Sequence, residues 1–125
     1  MNINTKATNT TLTPAITGHL NKRLSKLNKF LDPNDTSIIA DVEIGMIKRG
    51  QNTGDIFRAE INLHIAGKSF RNVAEGSDLY NVIDEMQEGI IREVRQHKKR
   101  RIHLLRRGGQ RIKEMVRGIK IFRKS

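Results

Sequence analysis

The stretch from Ser77 to Arg107, SDLYNVIDEMQEGIIREVRQHKKRRIHLLRR, constrains the fold more than any other part of the chain. Leu79, Val82, Ile83, Met86, Ile90 and Val94 recur at steps of three and four, the spacing of one helical face. At about 100° per residue, Arg92, Arg95 and Lys99 fall on the opposite side. Acids (Asp78, Asp84, Glu85, Glu88) gather near the start, and the basic cluster Lys98-Lys99-Arg100-Arg101 stands further on. That order complements the helix macrodipole. Ser77 is the expected N-cap, because its hydroxyl can accept from a free first-turn amide. A helix with one apolar stripe needs an apolar sheet or a second helix to cover that stripe. The remaining residues must supply the cover, and the cationic side is left facing outward.

Alternation supplies it. Ile38, Ala40, Val42, Ile44 and Met46 share one face of Ser37 to Met46, with Asp41 and Glu43 on the other. Phe57, Ala59, Ile61, Leu63 and Ile65 alternate with Arg58, Glu60, Asn62 and His64. Both runs have the period of half-buried strands. The polar, glycine-flanked Lys48 to Gly54 separates them as a loop, and Ala66-Gly67-Lys68 is short enough for a hairpin turn. Ser69 to Glu75 continues as a strand whose inward face is ambiguous, since Phe70 and Val73 have opposite parity. At the front, Asn2 to Thr8 alternates as a short strand. Thr13-Pro14 then reads as an N-cap and first helical residue. Ile16, Leu20, Leu24, Leu27 and Leu31 make the stripe of a helix over Pro14 to Leu31, with Lys22, Lys26 and Lys29 well away from it. Asp32-Pro33-Asn34-Asp35 ends that helix. The expected fold is α+β, a β-α-β-β-β-α two-layer sandwich with two helices on one face of a four-stranded sheet.

At 125 residues the chain suits one domain with a modest core. Residues 1–101 are expected to form that domain, and 102–125 a basic, flexible tail. The formal charge is +11, and residues 95–125 hold thirteen Lys/Arg against the single acid Glu114. The first 94 residues are therefore close to neutral, and the cationic end points to a polyanionic partner. Without cysteine there are no disulfides and no thiolate chemistry. No apolar run reaches the roughly 18 residues of a membrane span, and the N-terminus has no signal-peptide core. The expected location is the cytoplasm.

Catalytic signals are weak. His19, His64, His97 and His103 stand in no metal-ligating motif, and no glycine-rich loop follows a strand. Asp41 and Glu43 share a strand face, but such a pair on a solvated sheet is ordinarily surface. Asp84, Glu85 and Glu88 are accounted for by helix electrostatics. Neither an enzyme, a metal, a cofactor nor a small-molecule substrate is expected. The two rows Lys22/Lys26/Lys29 and Arg92/Arg95/Lys99 would form one cationic surface if the helices pack side by side, extended by Lys98, Arg100 and Arg101. A surface of that kind neutralises several backbone phosphates. Aromatics make up only 4% of the chain, so no stacking platform for single-stranded bases is expected and shape recognition is favoured. An anionic membrane is a rival partner for Ile112 to Phe122, disfavoured by its few large apolar residues.

The residues also resemble a known family. MNINTKATNTTLTPAI, LSKLNKFL, DVEIG and, most distinctively, RAEINLHIAGK and AEGSDLYNVID are similar to the ribosome hibernation-promoting factor (protein Y) family over about residues 1–101. That resemblance implies a fold similar to double-stranded-RNA-binding domains. It implies a stress or stationary-phase factor bound to the small ribosomal subunit and its rRNA, blocking translation in the mRNA/tRNA channel and preserving idle ribosomes. The matching basic positions are Lys22, Arg23, Lys26, Lys29, Arg92, Arg95, Lys98, Lys99 and Arg100. Long members carry a further domain that pairs ribosomes, which has no counterpart in these 125 residues. A protein that is monomeric off the ribosome is expected. The alternative is a general RNA-binding or RNA-chaperone module not tied to the ribosome.

Overall fold

The computed structural model describes residues 1–48 and 54–107. Four strands, β1 (Asn2–Thr8), β2 (Ile39–Lys48), β3 (Asp55–Ile65) and β4 (Lys68–Gly76), form one sheet in the order β1-β2-β3-β4. Two helices, α1 (Pro14–Leu27) and α2 (Leu79–Arg107), cover one face of it. Strand β1 runs parallel to β2, with α1 as the crossover that a parallel pair requires, and β2, β3 and β4 are antiparallel. The β-α-β-β-β-α sandwich expected from the pattern is the fold observed. Ile65 pairs with Lys68, so Ala66 and Gly67 alone make the last hairpin turn. Both have positive φ (47° and 77°), the backbone of a two-residue turn that follows the strands' own twist.

Rows running across the sheet show how the core is built. On the helix side, Ala40 stands opposite Leu63, Val42 opposite Ile61, and Ile44 opposite Ala59. All six are buried, as are Leu20, Leu24 and Leu27 of α1 and every stripe residue of α2 from Leu79 to Val94. Each fully buried Leu or Ile contributes roughly 1.5–3 kcal/mol of burial free energy, so these stripes hold the two layers together. The ambiguous β4 resolves as Phe70, Asn72, Ala74 and Gly76 inward, paired with Leu63, Ile61, Ala59 and Phe57. Val73 points outward and is 38% exposed. Strand β1 is open along its length, with Ile3 exposed although it pairs with the buried Ala40.

The helix ends correct two sequence expectations, the end of α1 and the cap of α2, and carry α2 to the end of the stretch that opens at Ser77. The helix expected to reach Leu31 stops as an α-helix at Leu27 and tightens into a 3-10 turn, Asn28–Phe30. Asp78, not Ser77, caps α2: its Oδ1 accepts from the Tyr80 amide at 3.0 Å and its carbonyl from Val82 at 3.0 Å. The strand runs to Gly76, which leaves Asp78 as the residue immediately before the first turn, where its negative charge also suits the dipole. Helix α2 continues beyond residue 101 to Arg107, and Ile102 packs against the core. The rest of the expected basic tail, 108–125, lies outside the described residues, as do residues 49–53 of the β2–β3 loop.

The start of α1 is as expected: Thr13 Oγ1 accepts from the Ile16 amide at 3.2 Å and Pro14 occupies the first helical position. Thr13→Ala is expected to lower stability by about 1 kcal/mol, read as a shifted urea midpoint at unchanged slope. An unmoved midpoint would mean that Pro14 sets the helix start without help from the cap. In the loop before β2, Asp35 accepts from the Ser37 hydroxyl and amide, which hold its carboxyl below the usual carboxylate range.

Candidate nucleic-acid interface

Helices α1 and α2 lie side by side and run in the same direction, because His19 and Arg23 of α1 meet Asp84 near the start of α2 while Phe30, just past α1, meets Arg95 further along. Lys22, Lys26 and Lys29 are exposed on the first row and Arg92, Arg95 and Lys99 on the second, while Arg100 is exposed on the β4 side of α2, beside Ser69, Phe70 and Arg71. Lys98 is half-buried; the Arg101 side chain is outside the described residues. The rows meet at Phe30, whose ring centroid lies 5.7 Å from the Arg95 guanidinium carbon. Parallel helices bring both negative dipole ends to the same side, which suits the cations there. Seven exposed cations are more than two dipole ends require.

Arg23 is placed differently from its neighbours. Its Nε lies 2.8 Å from Asp84 Oδ1, close but off the axis of a straight hydrogen bond, and Nη2 is 3.5 Å from Oδ2. His19 Nε2 sits 2.7 Å from the same Oδ1, and the imidazole meets the Tyr80 ring edge-on at 5.1 Å. This half-buried seam joins the helices. Asp84 therefore serves an interhelical contact rather than the dipole assigned to it from the sequence. The signal was present in the spacing, since His19 and Arg23 are four apart and flank the Ile16–Leu20–Leu24 stripe, the position that faces a neighbouring helix.

The other face of the sheet is electrically different. Its rows carry Asp41, Glu43, Glu60 and Glu75 against Lys6, Arg58 and Arg71. Asp41 Oδ1 accepts from Asn4 Nδ2 at 3.0 Å, Glu60 pairs with Arg71, and Arg58 reaches both Glu60 and Glu75. Asp41 and Glu43 sit on this solvated face within a mutually compensated network, the arrangement of a surface rather than of an acid–base pair. Among the described residues, no group of three His, Asp or Glu side chains is arranged to hold a metal ion, and no helix is long and apolar enough to cross a membrane. A near-neutral sheet face and a cationic helix face thus give the molecule one side suited to a polyanion.

Comparison with known proteins agrees with this architecture. Residues 3–102 match the model of the Sigma 54 modulation protein / S30EA ribosomal protein family. The chain belongs to that family, the one its sequence resembles. It is 31% identical over 100 residues to the ribosome hibernation promoting factor of Klebsiella oxytoca, covering 78% of this chain and 94% of that protein. It is 26% identical over 98 residues to the ribosome hibernation promotion factor of Bacillus subtilis, where the match covers 78% of this chain and only 49%, about half, of the relative. The crystal structure of the Thermus thermophilus Protein Y N-terminal domain superposes with a TM-score of 0.63 at 26% identity, over 78% of this chain and 99% of that one. A ribosomal subunit interface protein from Coxiella burnetii shares the fold, with a TM-score of 0.64 at 17% identity over 79% and 99% of the two chains.

Proposed function

We propose that this protein is a ribosome-associated translation inhibitor of the cytoplasm, which binds rRNA of the small subunit in the mRNA/tRNA channel and stabilises idle ribosomes under stress. The observation that carries the reading is the two-rowed cationic layer on α1 and α2, opposed by a near-neutral sheet face. Lys22, Lys26, Lys29, Arg92, Arg95, Lys98, Lys99, Arg100 and Arg101 make the phosphate contacts. Arg23 contributes mainly by fixing the helices against each other through Asp84. The names of the Klebsiella and Bacillus relatives support the ribosome as the target. No catalytic step is needed: occupancy of the channel excludes its substrates, and the protein acts as a monomer without a cofactor.

Co-sedimentation with purified ribosomes over a salt series tests this. Binding is expected at 50 mM salt and should fall by on the order of a thousandfold by 200 mM if about six phosphates are neutralised. Absence of co-sedimentation at low salt would sink the proposal. Transfer RNA binding to the ribosome separates the channel occupant from a general RNA-binding module, because the occupant should exclude transfer RNA from its site and a general binder need not.

A further inference from the structure

Beside the Arg95–Phe30 contact lies a cleft of about 260 Å³, lined by Phe30, Val94, Arg95, Lys98, Lys99 and Ile102. Its floor is apolar and its three polar lining residues are all cations. Two other clefts along this half of α2 differ in kind: one includes Glu88 beside Arg92, Arg95 and Lys99, and the other Glu93 beside Arg71 and Arg100. An acid in the lining repels phosphate, and the Phe30 cleft has none. Its volume is below the roughly 300–1,000 Å³ of ordinary small-molecule sites, so it suits one ring system and not a whole cofactor.

We infer that this cleft takes one unstacked nucleobase from a single-stranded segment of RNA. The inference rests on the reading of the helix layer as an RNA face, and deepens it by naming the form of RNA the layer prefers. A nucleobase has an apolar π-face and stacks on aromatic rings and on arginine guanidinium planes. Phe30, Val94 and Ile102 offer the apolar surface, and Arg95 offers the plane. A base seated there leaves its own backbone phosphates at the rim, where Lys98 and Lys99 stand. Duplex RNA keeps its bases stacked inside and cannot fill the cleft, so only the phosphate contacts remain to it. The apolar floor has no fixed donor and acceptor pattern, which makes the site tolerant of base identity. The low aromatic content had argued against single-strand stacking, but one ring between two cationic rows is enough for one base.

The test uses the whole chain and a short RNA carrying one 2-aminopurine, titrated as a single strand and as the matching duplex. The wild type should bind both, changing 2-aminopurine emission in the single strand. Phe30→Leu keeps apolar volume but removes the ring, and should lower single-strand affinity about tenfold while duplex affinity stays within twofold. Arg95→Lys guards against a folding artefact, since it changes an exposed residue, keeps the charge and loses the guanidinium plane. It should weaken single-strand binding severalfold and duplex binding clearly less, because the retained charge still serves a phosphate while the plane is lost. If wild-type binding is normal and both variants lose equally on single strand and duplex, or lose nothing, the base site is wrong and the cationic interface stands. If the wild type binds neither RNA form at low salt, the interface reading and the base site fall together.

Discussion

Reversing Lys22, Lys26 and Lys29 to glutamate in one variant is expected to weaken ribosome binding about a hundredfold near physiological salt. Each lysine that neutralises a phosphate releases about 0.9 of a counterion on duplex and 0.7 on single strands, so losing three contacts removes about two to three units of salt slope. Extrapolated to 0.15 M salt, that change corresponds to roughly two orders of magnitude in affinity, and repulsion by the new carboxylates adds to it. The fold should survive. All three side chains are exposed, whereas Leu20, Leu24 and Leu27 on the other side of α1 are buried and untouched. Lysine and glutamate have similar helix propensity, so the direct cost is small. Lys26, in the last turn of α1, and Lys29, in the 3-10 turn that continues it, each change an interaction with the helix dipole, for about 0.3–1 kcal/mol. Co-sedimentation at several salt concentrations, with circular dichroism as the control, reads both effects. A folded variant that binds with unchanged affinity and slope would show that the first row is an ordinary solvated helix face.

That layout was legible from sequence wherever burial on one side and solvent on the other impose a period. The α2 stripe and the inward residues of β2 and β3 follow from spacing alone, and all of the α2 stripe from Leu79 to Val94 is buried as the spacing requires. The cationic rows followed as the complement of those stripes. Strand β4 resisted the same reading because its inward face carries Phe70, Asn72, Ala74 and Gly76, two of which are not apolar side chains. What selects them is the closeness of α2, a tertiary fact without a local period. Strand β1 misleads in the opposite sense: Ile3, Thr5 and Ala7 alternate correctly, yet no helix covers them and all three are exposed. At the candidate site, charge was visible in the sequence and pairing was not. Arg23 reads like Lys22 and Lys26 until Asp84, 61 residues away, is brought beside it. Phe30 reads as one more apolar residue until α2 sets Arg95 over its ring.

The closeness of α2 to β4 makes Gly89→Ala the substitution with the largest expected effect on stability. In an exposed helix interior the change would stabilise by about 1 kcal/mol, because glycine is the poorer helix former. Here a Cβ on Gly89 would lie 2.3 Å from Asn72 Nδ2 and 2.4 Å from its Cγ and Oδ1, well inside van der Waals contact. Asn72 is too short to fold its end out of the way without changing rotamer, and its strand is held on the other side by β3. Further along the same seam, a Cβ on Gly76 would lie 3.1 Å from Val82 Cγ2, so α2 lies close against β4 at that end too. Overpacking should outweigh the propensity gain and leave Gly89→Ala about 2 kcal/mol less stable, a fall of roughly 8 °C in Tm. Asn72→Ala removes the obstructing amide and should cost less than about 1 kcal/mol by itself. In the double variant the methyl group added at Gly89 then fits the space that the Asn72 amide has left, and stability should return to within about 1 kcal/mol of the wild type. The resulting coupling, about 2 kcal/mol, is of the size expected for residues in direct contact. Additive losses in the double variant would mean that Gly89 is required for some reason other than Asn72. Recovery would show that a missing side chain sets the height of α2 above the sheet, and with it the position of Arg92, Arg95 and Lys99 on the cationic face.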